Sequence, residues 1–192
     1  IQSVAAELGY FPNHVAKSLV NRETRTIGLV LTDVMNPVLT HTAQAVELAL
    51  AERGYGTLFA TSNNNFAQEI KVVDMFRSRQ VDGMLIYPAR HRDLDHLRPL
   101  RRANFPIVLL IADPSVGIDG VSVNDRNGAC QATRYLIGRG HRQIGFLDAS
   151  SRNGNFEKLE GYQEALREAG LSFDPALVAA TDGDHSRSGY FA

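Results

Sequence analysis

Cysteine is almost missing from this sequence of 192 residues, which contains only Cys130. A single cysteine excludes an intrachain disulfide and fits a reducing compartment, so we expect a cytoplasmic protein. Cys130 lies among alanines on a helical stretch, which predicts a small buried core residue rather than a reactive thiol. The sequence also lacks any apolar run of the roughly 20 residues that a membrane-spanning helix needs, and no signal peptide is visible.

The sequence also has no large excess of positive or negative charge. The 20 basic and 21 acidic residues give a formal net charge of −1, which excludes a chain that binds nucleic acid through its overall charge. Apolar residues make up 44% of the sequence and charged residues 21%, which are ordinary values for a globular protein. The length is sufficient for a sizeable core in one or two domains.

The short motifs of common catalytic and metal sites are also absent. There is no phosphate-binding loop and no nucleophile elbow, and the glycines of 138–145 do not make the dinucleotide fingerprint. The run 91–94, His-Arg-Asp-Leu, mimics a kinase catalytic loop, but the other kinase motifs are missing and we interpret it as a polar loop. His91 and His96 lack the cysteine or carboxylate spacing of a zinc site. We therefore expect neither an enzyme nor a bound metal or cofactor.

What the sequence does contain is an alternation of short apolar runs and amphipathic helical stretches. The apolar runs predict strands at 27–31, 56–60, 84–86, 107–111, 121–123, 144–147 and 177–180. The amphipathic stretches predict helices at 37–53, 66–79, 94–103, 125–138 and 156–169. Repeated βα units with apolar strands are typical of α/β proteins with a doubly wound parallel sheet.

The helical stretches also predict which side chains face the core. In the first helix these are Leu39, Ala43, Val46 and Leu50, and in the second they are Phe66, Ile70, Val73 and Phe76. The βα pattern restarts near Asn124, which predicts a second lobe. Two such lobes leave a cleft at the carboxyl ends of their strands, where ligands bind in this architecture.

A short segment, Phe11 to Leu19, precedes the first predicted strand. Phe11 lies before a proline and should be extended, and Asn13 suits the N-cap of a helix of roughly two turns. Such a short helix is marginal in isolation because nucleation is costly. It presents Val15 and Leu19 on one face, which suits a segment that folds on a partner. The blander alternative is that both side chains pack on the α/β domain.

Two ordered motifs in this region carry a resemblance to a known family. Leu-Gly-Tyr-x-Pro-Asn-x-x-Ala-x-x-Leu spans 8–19, and Thr-x-x-Ile-Gly-Leu-Val spans 24–30. Together they resemble the hinge region of the lactose-repressor/galactose-repressor (LacI/GalR) family of transcription regulators. The resemblance continues through Val-Asp-Gly at 81–83, Gly-His-Arg-x-Ile-Gly-Phe at 140–146 and Gly-Tyr-x-x-Ala-Leu at 161–166.

The resemblance implies a two-lobed fold like that of periplasmic sugar-binding proteins, preceded by the end of a helix-turn-helix head. It implies three parts: the end of that head and the hinge helix at 1–24, an N-terminal lobe at 25–123 and a partial C-terminal lobe at 124–192. Family members carry further helices before Ile1 and more chain after Ala192, so we expect this chain to be truncated at both ends.

The resemblance also implies how the hinge meets DNA. In a homodimer the paired hinge helices enter the minor groove of the operator, and a leucine wedges between base steps, which kinks the duplex. Leu19 occupies the position of that leucine. The expected DNA-binding hinge residues are Asn13, His14, Val15, Ala16, Lys17 and Leu19.

The expected effector-binding residues follow the predicted strands or match family positions. They are Asp33, Val38, Leu39, Asn64, Asp113, Arg152 and Lys158. Val38 and Leu39 stand where the family often has aromatic residues, so ring stacking on the effector is lost. Lys158 stands where the family usually has arginine, which keeps the charge and loses the planar fork. For Asn64 the alternative is a turn residue, and for Arg152 and Lys158 it is a solvated helix start.

Three functions stay open from the sequence. The first is a transcription regulator, a dimeric repressor controlled by a small polar, sugar-like effector between two lobes. The second is a free-standing periplasmic-type sugar-binding protein, which would have no use for the hinge motif. The third is an α/β enzyme that uses the same cleft, against which the missing catalytic motifs count.

Overall fold

The computed structural model describes residues 23–111, 117–151 and 154–181. Within them, seven strands alternate with five α-helices, as the sequence predicts. The strands are β1 (Thr26–Leu31), β2 (Gly56–Thr61), β3 (Gly83–Ile86), β4 (Ile107–Leu110), β5 (Gly120–Val121), β6 (Phe146–Asp148) and β7 (Val178–Ala180). The helices are α1 (Pro37–Ala51), α2 (Phe66–Ser78), α3 (Arg98–Arg102), α4 (Asp125–Gly138) and α5 (Glu157–Glu168). None of the helices in these ranges is long and apolar enough to cross a membrane.

The first five strands form one parallel sheet in the order β2-β1-β3-β4-β5. Successive residues of β1 point to opposite faces, so this central strand contributes to two cores. Leu29 and Leu31 pack with Leu39 of α1 on one face. Val30 joins the larger cluster on the other face, which α2 and α3 cover. Helices therefore lie on both faces of the sheet, which confirms the α/β class.

The buried residues of α1 and α2 differ in part from those that the sequence predicts for the core. In α1 only Leu39 is buried, while Ala43 and Val46 are partly buried. In α2 the buried residues are Glu69, Val72, Val73 and Phe76, while Phe66 and Ile70 are partly buried. The period of apolar residues could not predict a buried carboxylate at Glu69, because its burial depends on partners from another segment of the chain.

Several element boundaries also differ from the prediction, and three of them have a visible physical reason. The stretch 94–103 is a 3₁₀ turn, Asp95–Leu97, followed by α3, because Pro99 is tolerated in the first turn of a helix and not in its middle. β4 ends before Ile111, whose φ of 75° is incompatible with a strand. Ile144 is buried ahead of β6, and its carbonyl accepts a hydrogen bond from the Tyr162 hydroxyl at 2.8 Å.

The second sheet contains the parallel pair β6 and β7. Helices α4 and α5 pack against each other, and Cys130 of α4 is buried there as predicted. A separate small core forms around Ile144, Tyr162 and Leu166. Both helices begin close to the carboxyl edge of the first sheet, which brings the polar loops of the two sheets together. The proposed boundary between two lobes near Asn124 coincides with the start of α4.

Candidate functional site

A small cavity lies where the carboxyl ends of β3, β4 and β5 meet the segment that opens α5. Its volume is about 30 Å³, and it is lined by His91, Arg92, Ile111, Ser122, Gly154, Asn155, Phe156 and Glu157. The first four residues follow strands of the first sheet, and the last four precede or begin α5 of the second. The structure therefore has a cleft between two sheets, at the edge where the sequence predicts one.

His91 is the most enclosed side chain in this cleft. It is only 7% exposed, and its ring lies edge-on to Tyr87 with the ring centroids 5.7 Å apart. Its Nε2 has no hydrogen-bond partner among the described residues. Burial lowers the pKa of His91 below its ordinary value, and the nearby carboxylates of Asp125 and Glu69 oppose that shift. Residues 91–94 form a loop, as predicted, but His91 within it is buried.

The loop that carries His91 is held by a buried carboxyl group of α2. Glu69 of α2 is fully buried and accepts a hydrogen bond from the Ala89 amide at 2.5 Å. Its other oxygen lies 2.9 Å from His96 Nε2, a distance typical of an ion pair but without the alignment of a hydrogen bond. Phe66 lies edge-on to His96, and the guanidinium of Arg90 stacks 4.6 Å from the Phe66 ring centroid. These contacts fix the backbone on both sides of His91.

Two side-chain contacts near the cleft link residues that are far apart in the sequence. The guanidinium of Arg92 lies 5.4 Å from the centroid of the Phe156 ring, a cation–π contact from the first sheet to the start of α5. Lys158 Nζ lies 3.4 Å from the carboxylate of Asp125, which also accepts a hydrogen bond from the Asn155 amide at 3.2 Å. The charge of Lys158 is thus partly balanced by a carboxylate at the start of α4.

β6 ends in a turn that is held by hydrogen bonds to Asp148. Asp148 is buried and accepts hydrogen bonds from the amides of Ser150 and Ser151, both at 3.0 Å. Burial alone would raise the pKa of Asp148, but the hydrogen bonds from the two serines outweigh it and lower the pKa below its usual value.

None of the expected effector-binding residues that the structure describes lines the cavity, and Lys158, next to Glu157 in the chain, comes nearest to it. Lys158 lies on the first turn of α5, with its side chain 47% exposed. Asp33 follows β1 and accepts a hydrogen bond from the Met35 amide at 2.7 Å. Asn64 is exposed with a φ of 54°, which fits the turn alternative. Asp113 and Arg152 lie outside the described residues, as do all six hinge residues.

The two apolar candidates at the start of α1 have different surroundings. Val38 is 70% exposed, whereas Leu39 is 4% exposed and packs with Leu29 and Leu31 in the core. Asn36 caps α1 by accepting a hydrogen bond from the Val38 amide. Val38 and Leu39 are therefore consecutive residues of the first helical turn, and they face different directions. In this arrangement Leu39 has no surface for a ligand, while Met35 and Val38 do.

Sequence reasoning assigned none of the eight lining residues to an effector site, and it also missed the supporting residue Glu69. The position of 91–92 after a predicted strand was the one available signal for His91 and Arg92. No metal-binding group of three or more His, Cys, Asp or Glu side chains occurs in the part of the chain that the structure describes.

A larger hollow of about 410 Å³ lies elsewhere, between α1 and the β1–β2 part of the sheet. Its walls include Leu29, Leu31 and Phe59, and it shares no residue with the cleft. It is apolar on most of its surface, whereas the cleft lies at the carboxyl ends of parallel strands and is lined by charged and hydrogen-bonding side chains. We therefore place the candidate site in the cleft rather than in the larger hollow.

Comparison with known proteins identifies relatives of the whole described region. Residues 24–190 match the family described as "Periplasmic binding proteins and sugar binding domain of LacI family". The chain is 32% identical to the HTH-type transcriptional repressor PurR of Proteus mirabilis over 191 residues, which cover 97% of this chain and 55% of the repressor. It is 31% identical to the HTH-type transcriptional regulator CelR of Thermobifida fusca, covering 95% of this chain and 56% of CelR.

Solved structures show the same fold. A complex of the transcriptional regulator CelR with cellobiose matches with a TM-score of 0.72 and 29% identity, over 100% of this chain and 58% of that one. The transcription regulator CcpA of Lactococcus lactis matches with a TM-score of 0.70 and 29% identity, over 81% of this chain and 58% of that one. The chain spans about half the length of the curated relatives it matches.

Proposed function

Because this chain belongs to the family of periplasmic binding proteins and LacI-type sugar-binding domains, we propose that it is the effector-binding part of a DNA-binding transcription regulator. The whole protein acts as a repressor in the cytoplasm, as a homodimer on double-stranded operator DNA. Its operator affinity is controlled by a small polar, sugar-like effector in the cleft between 25–123 and 124–192. The observation that carries the proposal is the family match over 24–190, with relatives that are named regulators.

The geometry of the cleft supports the effector part of this proposal. Ligands in open α/β folds bind beyond the carboxyl ends of parallel strands. Here that edge carries the loop of His91 and Arg92, and the start of α5 with Lys158 lies opposite. The groups along this edge are hydrogen-bonding and charged, while Val38 offers no aromatic ring for stacking. These features favour a ligand that is held mainly by hydrogen bonds.

The coupling to DNA is a thermodynamic linkage. An effector that binds one arrangement of the two sheets more tightly than another shifts the population toward that arrangement. The hinge segment at 13–19 precedes β1 directly, so a change at the start of the first sheet alters how two hinge helices of a dimer can pair. Operator and effector then change each other's affinity by the same factor.

A selection experiment tests this function. The whole protein is incubated with random-sequence duplex DNA, bound duplexes are recovered and sequenced, and their binding is measured again with cellobiose and other sugars. We expect a near-palindromic site, as a two-fold dimer requires, and a sugar that changes its affinity. No enrichment of any sequence would contradict the regulator.

The same experiment distinguishes the regulator from a second candidate function, a free-standing sugar receptor. The family description also covers periplasmic binding proteins, so a free-standing sugar receptor is the alternative. A protein that binds a sugar without selecting any DNA sequence would support that receptor. The relatives compared above are regulators rather than enzymes, and the proposal assigns no catalytic residue.

A further inference from the structure

One side chain at the cleft reaches from the first sheet to the second. The guanidinium of Arg92 lies 5.4 Å from the centroid of the Phe156 ring, within the range of a cation–π contact. Both residues line the small cavity, Arg92 on the loop that follows β3 and Phe156 at the start of α5. The neighbouring polar contacts stay within the second part of the fold, since Lys158 and Asn155 both meet Asp125 of α4. Arg92 therefore links the two sheets across the cavity.

The loop that carries Arg92 is held to α2 on both sides of this residue. Glu69 is fully buried and accepts a hydrogen bond from the Ala89 amide. Its other carboxyl oxygen lies 2.9 Å from Nε2 of His96. Because the backbone around Arg92 is fixed to the first sheet in this way, only its side chain can follow Phe156 when the second sheet moves.

The charges at the cavity wall favour the same contact. Among the residues that line the cavity, the cation Arg92 comes from the first sheet and the anion Glu157 from the second. Opposite charges on the two sides of a cavity attract each other across it. Lys158, which follows Glu157 in the chain, opposes this attraction, but its own charge is partly balanced by Asp125 at 3.4 Å.

The contact has a strength that suits a reversible link. Arg92 is exposed and the Phe156 side chain is 39% exposed, so water competes for both. At exposed sites a cation–π contact changes an equilibrium by about two- to fivefold, which is too little to lock the sheets together. It is sufficient to shift the populations of two arrangements that differ little in free energy.

We propose that Arg92 and Phe156 form a latch between the two sheets, which stabilises the arrangement in this structure against one in which the sheets lie further apart. The latch adds named residues to the proposed function, and its consequence for operator binding rests on that function. A molecule that enters the cavity meets both partners of the latch, so it changes the same equilibrium.

The test measures the distance between the sheets in the whole protein, without effector or DNA. Spin labels are attached to cysteines introduced by Gln68→Cys on α2 and Arg167→Cys on α5, both at exposed positions, while the buried Cys130 stays unlabelled. Labelled protein is mixed with an excess of unlabelled protein, so that a dimer carries labels on one subunit only. Pulsed electron paramagnetic resonance then gives the distribution of distances between the two labels.

The variants separate the contact from its two residues. Arg92→Met keeps the aliphatic part of the side chain and removes the charge, Phe156→Leu removes the ring, and a double variant combines both changes. Arg92→Lys keeps a cation that can still stack on the ring. Arg102→Met makes the same change at an exposed arginine of α3 and is the matched control. Melting temperatures show that each variant is folded.

The expected result is a shift toward longer label distances in both single variants. Arg92→Met and Phe156→Leu should each raise the ratio of long to short distances about two- to fivefold. The double variant should change the ratio no more than either single variant, because both substitutions remove the same contact. Arg92→Lys should lie between Arg92→Met and the wild type, and Arg102→Met should match the wild type.

Two results would overturn the latch. One is an unchanged distance distribution in either single variant. The other is a double variant in which the two effects add, because the residues would then act separately. Selection of an operator by the wild type is scored independently: longer distances without a selected operator would contradict the regulator and leave the latch, whereas a selected operator with unchanged distances would reject the latch alone.

Discussion

Gly161 in α5 faces the backbone of Arg126 in α4 with no room for a side chain. A Cβ added at Gly161 would overlap the Arg126 carbonyl oxygen and would meet the Cys130 amide nitrogen at 3.0 Å. The glycine therefore permits the close approach of the two helices that support the second sheet. Its place in the motif Gly-Tyr-x-x-Ala-Leu has a packing reason, since the next residue, Tyr162, is buried in the small core beside it.

Gly161→Ala should destabilise the second sheet because the obstructing atoms are backbone. Overpacking of this kind typically costs about 1–3 kcal/mol. The matched control is Gly128→Ala in α4, where a Cβ meets nothing within 4 Å. The control should be stabilised by roughly 0.5–1 kcal/mol, because alanine is the better helix former. Urea unfolding followed by circular dichroism measures both, and equal stabilities for the two variants would contradict the packing.

Glu69→Ala should be among the most damaging substitutions in the first sheet. It removes the acceptor of the Ala89 amide and leaves a cavity beside His96; a buried donor left unpaired costs about 1–3 kcal/mol, and the cavity adds to that cost. Asp95→Ala breaks an ion pair with Arg98 whose side chains are both more than two-thirds exposed, so it should change stability by less than about 1 kcal/mol. Denaturant titration compares them, and a mild effect of Glu69→Ala would mean that the loop is held by other contacts.

His91 should make the unliganded protein less stable in mild acid. Its pKa in the folded protein lies below the ordinary value of 6.5, so the unfolded chain binds more protons at slightly acid pH. The stability that neutral His91 allows is complete above pH 6.5, the ordinary pKa of histidine. It is lost as the pH falls from there through the lower pKa of His91 in the folded protein. Unfolding midpoints between about pH 5 and pH 8 should show a smaller acid loss for His91→Phe than for the wild type.

The pH range in which stability is lost distinguishes His91 from Asp148. Asp148 has a pKa below its usual 3.8, so its stabilising contribution is lost only at a more acid pH than that of His91. A wild-type pH dependence that His91→Phe leaves unchanged would assign the acid loss to other titrating groups.

Lys158→Ala and Arg152→Ala should weaken effector binding if both side chains contact the ligand. Removing one polar partner costs on the order of 1–3 kcal/mol, about ten- to a hundredfold in affinity. Because Lys158 pairs with Asp125, Asp125→Asn is the matched control for an indirect effect. Calorimetry with the sugar that stabilises the wild type decides this. Unchanged affinity in both alanine variants would leave them as a solvated helix start.

Leu19→Ala should weaken operator binding and reduce DNA bending without changing effector affinity. The reason is the match of Leu19 to the wedging leucine of the family, since an apolar wedge unstacks a base step and kinks the duplex. Gel-shift and bending assays on the selected operator, with calorimetry for the effector, give the two readouts. Bending equal to that of the wild type would remove the wedge role.

The sequence by itself determined the alternation of strands and helices and the parallel sheet. Period-two and period-3.6 patterns are local, so β1, α1 and α2 were predicted within a few residues. Asn36 and Asn65 cap α1 and α2 through amides two and three residues further along the chain, so both helix starts are locally encoded. The buried state of Cys130 followed from its apolar neighbours in the same way.

Only the tertiary structure decided which polar residues are buried and what they meet. Glu69 and His96 are 27 positions apart in the sequence by their numbers, and Arg92 and Phe156 lie further apart still, so no local period links either pair. The burial of His91 depends on Glu69 holding the neighbouring amide and on the cavity wall from α5. The cost of burying a polar group is set by partners that the folded chain brings together, which is why this cleft could be located from the sequence while its most enclosed residue could not.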